Sequence, residues 1–168
     1  MAKVLVAYYS RGGNTRAMAE AVAEGARSAG ADVGLSPVDK VKVSTLVDYS
    51  GIVLGSPVYY GSMAAEVKRF LDESVALHGK LEGKVGGAFA SSANLGGGTE
   101  STILHILGAL LIHGMIVQGS HSGAHYGAVA IGKPDAKSLA ECRELGKRVA
   151  KLAEALRAGG FPGTSCSR

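Results

Sequence analysis

A short segment near the start of the chain combines hydroxyl groups, an arginine and two adjacent glycines. It runs from Ser10 to Thr15 (SRGGNT), between an apolar run at 3–9 and a helical pattern at 14–29. Backbone N–H groups and the helix dipole converge at a helix start, and glycine lets the backbone close around an anion. The segment predicts a phosphate loop made of Ser10, Arg11, Gly12, Gly13, Asn14 and Thr15. The alternative, that Asn14 or Thr15 merely caps the helix, stays open.

Two further polar segments follow apolar runs. Residues 57–61 (PVYYG) hold two aromatic rings between a proline and a glycine, and these can offer a flat face to a planar ring. Residues 91–97 (SSANLGG) lead into a third glycine, so the backbone can approach a ligand closely. As alternatives, one tyrosine packs on the next helix while the other is merely exposed, and the glycine run is only a flexible connector. The candidate residues are Pro57, Val58, Tyr59, Tyr60 and Gly61, and Ser91, Ser92, Ala93, Asn94, Leu95, Gly96 and Gly97.

Alternating strands and helices must position these segments. The patterns predict strands over 3–9, 31–38, 51–56 and 84–91, and a fifth in two pieces, 115–119 and 128–131; helices are predicted over 14–29, 63–75, 99–113 and 134–158, with a short helical turn at 43–49. Such βα units predict a doubly wound α/β domain, a largely parallel five-stranded sheet with helices on both faces. Ligands bind at the carboxyl ends of its strands, where the three segments lie. One domain is predicted over 1–158, and a loose tail over 159–168.

Composition and charge favour some classes of protein over others. Hydrophobic residues make up 46% and charged residues 19% of the 168 positions, as in a globular domain. No apolar run is long enough to span a bilayer, and the start lacks a signal-peptide layout, so a cytoplasmic protein is predicted. The net charge of +4 comes from scattered basic residues without interleaved aromatic residues, which does not favour nucleic-acid binding.

Several motifs that suggest other chemistry are incomplete. Residues 127–134 have the glycine spacing of a Walker A loop, but they bracket an apolar run and end in Pro134, which has no hydroxyl for magnesium. His121 and His125 have no acidic or cysteine partner nearby, so no metal site is predicted. Gly119–Gly123 (GSHSG) resembles a hydrolase nucleophile elbow, but histidine stands where serine is required.

Together the three segments resemble the flavodoxin-like superfamily, and within it the NAD(P)H:quinone oxidoreductases of the WrbA type. The resemblance covers residues 2–156 and is carried by SRGGNT, SPVYYGSM, SSANLGGGTE, and the later HGM (113–115) and YGA (126–128). It implies a sheet of order 2-1-3-4-5 and FMN as the cofactor. It further implies NAD(P)H as electron donor, a small quinone-like acceptor, and a homo-oligomer, either a dimer or a tetramer.

The resemblance also implies a role for each segment. Residues 10–15 would hold the FMN phosphate, 57–61 would meet the isoalloxazine ring, and 91–97 would line its other side and the ribityl chain. His113 would sit near the ring and could donate a hydrogen bond or proton to the acceptor, with a packing role as the alternative. The chain departs from the family in having no tryptophan, a short connection after strand two and a third loop one residue longer.

The charges near the loops bear on the kind of electron transfer. Within the first two segments and the stretch 91–100 that contains the third, only Arg11 and Glu100 are charged, and a neutral to basic surround stabilises an anionic, fully reduced flavin. This favours a two-electron oxidoreductase. A flavodoxin-type electron carrier, and a regulatory flavin protein without turnover, are the alternatives.

The helix predicted over 99–113 is too apolar for a helix that packs on one sheet. Between 103 and 112, seven of ten residues are large aliphatic ones, well beyond a stripe of about 100°. An exposed apolar surface of this kind predicts self-association, with a dimer as the minimum. Alternatively, the loop 119–126 folds over this helix and covers it.

Overall fold

The structure is a computed structural model that describes residues 1–161. Its strands are β1 (Lys3–Tyr8), β2 (Asp32–Pro37), β3 (Gly51–Tyr59), β4 (Ser62–Met63), β5 (Val85–Ser92), β6 (Ile116–Val117) and β7 (Val129–Ile131); its helices are α1 (Asn14–Ser28), α2 (Ala65–Glu73), α3 (Thr99–Ile112) and α4 (Ala136–Ala158). From residue 162 onward, the predicted tail lies outside the described residues. Within residues 1–161, no helix is both long and apolar enough to cross a membrane.

The sheet has the predicted doubly wound topology. Its main strands follow the order β2-β1-β3-β5-β6, and all pair in parallel. The predicted interruption of the fifth position is also present, because β6 pairs with Val85 and Gly86 while β7 pairs with Ala90–Ser92. Counted by position in the sheet, this is the order 2-1-3-4-5. The fold class expected from the sequence is therefore confirmed.

One hairpin was not predicted. β3 continues three residues beyond its predicted end to Tyr59, and it pairs antiparallel with β4. The helix predicted over 63–75 is therefore shorter, because Met63 belongs to β4 and α2 begins at Ala65. Val75 is 70% exposed in a 3₁₀ turn after α2 and does not continue its buried face. The sequence pattern is misleading here because a two-residue strand is too short to show an alternation.

On one face of the sheet, α1 and α4 approach each other until their backbones touch. A Cβ atom added to Gly25 would overlap the carbonyl oxygen of Arg143, and one added to Gly146 would overlap the carbonyl oxygen of Val22. A larger residue at either position would therefore push the two helices apart. Cys142 lies fully buried in the same packing, and this burial raises the pKa of its thiol to about 12.

Candidate functional site

The three predicted segments meet in one cleft. Parallel pairing places Tyr8 beside Gly55, and Pro57 beside Ser91, so the carboxyl ends of β1, β3 and β5 lie side by side. A cavity of about 170 Å³ opens there. It is lined by Ser10, Arg11, Gly12, Asn14, Thr15, Pro57, Val58, Tyr59, Ser91, Ser92 and Ala93. Residues from all three segments therefore form one site.

The first segment leaves the start of α1 open. Gly13, in the left-handed region at φ 94°, occupies the N-cap position, and no side chain caps the helix. The Ser10 hydroxyl accepts a hydrogen bond from the Gly13 N–H at 3.1 Å. The first backbone N–H groups of a helix have no partner inside it, so those of α1 stay available. The alternative that Asn14 or Thr15 serves only as a cap is therefore wrong.

The space above this loop suits an anion. A Cβ atom added to Gly12 or Gly13 would meet no atom within 4 Å, so the backbone there borders open space. The first turn of α1 carries no acidic residue. Arg16 points its charge to Glu20, one turn along the helix, at 2.9 Å. Arg11 is exposed at the cleft and takes part in none of the ion pairs found among residues 1–161. The positive end of the helix dipole is thus reinforced by one arginine.

A hydrogen bond joins the first segment to the third. The hydroxyl of Thr15 lies 2.9 Å from that of Ser91, and both residues are buried. The sequence predicted both residues as ligand contacts but not their bond to each other. This contact fixes the distance between the start of α1 and the end of β5, and hence the width of the cleft.

The second segment is a tight hairpin turn with two exposed aromatic rings. Tyr60 and Gly61 both have positive φ, 49° and 77°, as two-residue hairpin turns of type I′ require. Tyr59 is 39% exposed and lines the cavity, whereas Tyr60 projects fully into solvent. Tyr60 is therefore the merely exposed ring of the alternative, and neither Tyr60 nor Gly61 lines the cavity. The buried Ser56 fixes the base of the hairpin by accepting from the Ala64 N–H at 2.9 Å.

The third segment is a closed turn. Ser91, Ser92 and Ala93 line the cavity, but Asn94, Leu95, Gly96 and Gly97 do not, and Leu95 is 90% exposed. The carbonyl oxygen of Asn94 accepts from the Ser92 hydroxyl at 2.8 Å and from the Gly97 N–H at 3.1 Å. The alternative of a purely flexible connector is not supported, because these bonds give the segment a defined path.

His113 does not join the cleft of its own chain. It follows the last residue of α3, a helix of 14 residues that begins beside the cleft and spans about 21 Å. The next strand, β6, pairs with the beginning of β5, at the opposite edge of the sheet. The prediction that His113 lies near the ligand ring is therefore wrong for a single chain.

The structure places His113 in a buried hydrogen-bond chain instead. The Ser74 hydroxyl donates to the Leu71 carbonyl at 2.7 Å, so it accepts from His113 Nε2, also at 2.7 Å. Nδ1 of His113 is then a buried acceptor without a partner among the described residues. Burial, and to a lesser degree repulsion from His78, lowers the pKa of His113. The packing alternative is the one that this geometry supports.

This environment makes stability depend on pH. Because the folded pKa of His113 lies below the ordinary value of 6.5, the unfolded chain takes up the proton more readily. The contribution of His113 to the free energy of unfolding is therefore fully present above pH 6.5 and is lost as the pH falls below this value. We expect the free energy of unfolding to decrease more between pH 7.5 and 5.5 in the wild type than in His113→Gln. Urea unfolding at both pH values measures this, and equal decreases would contradict the assignment.

Comparisons with known proteins agree with the fold and the position of the cleft. A doubly wound α/β protein with a cleft at the carboxyl ends of β1, β3 and β5 is the class that fold and site define. A family model described as "Flavodoxin domain" matches residues 5–95. The chain is 37% identical to an NAD(P)H dehydrogenase (quinone) from Archaeoglobus fulgidus, over 93% of this chain and all of the relative. It is 41% identical to a flavodoxin from Aquifex aeolicus, over 90% of this chain and 86% of the relative.

A solved structure agrees with these relatives. The flavodoxin, WrbA-like protein from Agrobacterium tumefaciens superposes with a TM-score of 0.81 at 29% identity, covering 92% of this chain and 99% of that one. The chain belongs to the flavodoxin-like family, as its sequence motifs predicted.

Proposed function

We propose that this protein is an FMN-dependent oxidoreductase that transfers two electrons from NAD(P)H to a quinone-like acceptor. One observation carries the proposal. The start of α1, which has no side-chain cap and no acidic residue, lies at the same cleft as the turn Tyr59–Ser62 with its exposed tyrosines, called here the tyrosine turn. The first suits a phosphate and the second a planar ring. The relatives named NAD(P)H dehydrogenase (quinone) support the choice of reaction.

The residues present fit FMN. The backbone of residues 10–15, with Arg11, would hold the phosphate dianion at the start of α1. Tyr59 and the backbone of Pro57 and Val58 would lie against the ring, and Ser91–Ala93 would face its other side. The bound flavin supplies the redox chemistry, while the chain binds it, orients it and leaves one face open to donor and acceptor.

The function of a flavodoxin-type electron carrier is the second candidate. The relative from Aquifex aeolicus named flavodoxin favours it. Against it stand the cleft residues themselves, none of which is acidic. A carrier that passes single electrons needs negative charge near the flavin to oppose full reduction, whereas Arg11 favours the anionic, fully reduced form.

The two candidates separate in a simple experiment. We expect the purified chain to bind one FMN, identified by mass after denaturation, and to oxidise NAD(P)H rapidly only when benzoquinone is present. Anaerobic dithionite titration should convert the oxidised flavin spectrum directly to the fully reduced one. Recovery of FAD, or no flavin after reconstitution, would contradict the cofactor; flavin binding without quinone-dependent turnover would favour the carrier.

We further propose that the protein is a homo-oligomer, at least a dimer, through α3. Leu104, Leu111 and Ile112 are 45%, 57% and 76% exposed on its outer side. Beside them an open groove of about 890 Å³ runs between α2 and α3. The loop that could have covered α3 lies elsewhere, because residues 118–124 line a cavity against α4. A second copy would bury this apolar surface.

This proposal predicts a change of mass on one substitution. Ile112→Glu should give a monomer in light scattering at micromolar concentration, because a carboxylate would be buried without a partner. Tyr126→Glu is the matched control, since Tyr126 is also an exposed apolar residue (53%) but lies outside α3. A wild-type monomer, or no change in mass for Ile112→Glu, would reject the interface.

A further inference from the structure

Side chains at the start of α3 form hydrogen bonds to the tyrosine turn of the cleft. The Ser101 hydroxyl lies 3.1 Å from the carbonyl oxygen of Gly61 and equally far from that of Gly98 in its own helix. One turn further on, Nδ1 of His105 lies 3.1 Å from the Ser62 hydroxyl. Two side chains at i and i+4 on one helix face thus bond to consecutive residues of the turn.

The backbones also touch. Gly98, the N-cap of α3, has a φ of 106°, and a Cβ atom added there would lie 2.9 Å from Gly61 Cα. No side chain fits between the helix start and the turn. Consequently, the turn cannot shift toward α3, and the two hydrogen bonds keep it from moving away.

The turn needs such support. Tyr60 is the one residue other than glycine with a positive φ among residues 1–161, and its side chain makes no packing contact that would offset this, because it is fully exposed. A non-glycine residue in this region is costly and persists where surrounding contacts hold it. The hairpin itself provides only two paired positions, Val58 with Met63 and Tyr59 with Ser62.

We propose that Ser101 and His105 are positioning residues that hold the turn Tyr59–Ser62 in its flavin-binding conformation and thereby set the affinity for FMN. This inference rests on the proposed function. Neither residue lines the cleft, so both act through the turn. The sequence patterns did not predict this role, although the two residues stand one helical turn apart at the start of a predicted helix.

FMN binding to the apoprotein, followed by fluorescence quenching, tests the proposal. For Ser101→Ala and His105→Ala, the Kd should rise by about two- to tenfold each, the usual effect of losing one hydrogen bond. The visible circular dichroism of the bound flavin should change, since the ring contacts shift. Ser101→Thr keeps the hydroxyl and should restore both properties.

Matched controls separate positioning from general stability. Ser28→Ala removes a serine that bonds a carbonyl three residues back in its own helix, as Ser101 does, but has no bond to the turn. His121→Ala removes an exposed histidine outside α3. Both should bind FMN with the wild-type Kd and dichroism.

The outcomes distinguish this inference from the proposed function. If the wild type binds no FMN, the proposed function itself fails. If the wild type binds FMN and both alanine variants keep its Kd and its dichroism, the positioning role is wrong while the proposed function stands. A lower melting temperature of the apoprotein with an unchanged flavin spectrum would likewise reject the positioning role, because it would show a purely structural one.

Discussion

Replacing Gly12 by aspartate is expected to weaken FMN binding by about a hundredfold or more. Gly12 lines the cleft, and a Cβ atom there meets nothing within 4 Å. Its φ is not among the positive values, so an L-residue fits the backbone. The chain should therefore fold normally with the carboxylate directed into the space proposed for the phosphate.

The size of the effect follows from charge repulsion. Two unit charges 4 Å apart repel by about 4 kcal/mol at an effective dielectric constant of 20. The loop is exposed, so solvent and salt reduce this value, while the second charge of the phosphate increases it. A net loss of about 2.8 kcal/mol corresponds to a hundredfold change in Kd. Isothermal titration at low and high salt measures both the loss and its screening.

Two controls isolate the charge. Gly12→Asn adds nearly the same volume without charge and should change the Kd for FMN much less. Riboflavin, which lacks the phosphate, should bind to wild type and Gly12→Asp with similar Kd. If Gly12→Asp bound FMN as tightly as Gly12→Asn, the phosphate would lie elsewhere.

The cleft could be predicted from the sequence because the topology of the sheet largely determines where the three segments lie. In a doubly wound parallel sheet, the carboxyl ends of neighbouring strands lie at one edge. Recognising three strands followed by Ser10–Thr15, Pro57–Gly61 and Ser91–Gly97 was therefore enough to bring the segments together. The structure also agrees with the prediction that the glycines of the first segment leave space for a ligand, since they border open space.

The predicted position of His113 was wrong because it did not take the direction of α3 into account. The resemblance implied a place near the ring, but a residue at the end of a helix that leaves the cleft must lie at the opposite edge of the sheet. The contacts of the cleft with α3 were missed because Ser101 and His105 act through hydrogen bonds to a hairpin, and its second strand is only two residues long. Such contacts depend on tertiary geometry, which leaves no periodic signal in the sequence.

The helix contact behind the cleft provides the second large prediction, a loss of stability in Gly146→Ala. The added methyl group would overlap the backbone of α1 at the Val22 carbonyl, which no rotamer change can relieve. Overpacking of a core costs about 1–3 kcal/mol, and a clash with backbone belongs at the upper end. Alanine is favoured over glycine in a helix by about 1 kcal/mol. The cost of overpacking exceeds the gain in helix preference. The net destabilisation is expected to be about 2 kcal/mol, or about 4–8 °C in Tm for a chain of this size.

Gly108→Ala gives the opposite sign and so tests the cause. It adds the same methyl group inside a helix, but nothing lies within 4 Å of the new Cβ atom. Within one chain only the helix preference acts, and the Tm of the single chain should rise by about 2–4 °C in scanning calorimetry at the same protein concentration. Because α1 carries the phosphate loop at its other end, Gly146→Ala should also weaken FMN binding, whereas Gly108→Ala should not. A Gly146→Ala protein as stable as the wild type would show that α1 and α4 can separate without cost, and that the loop is positioned by its strand alone.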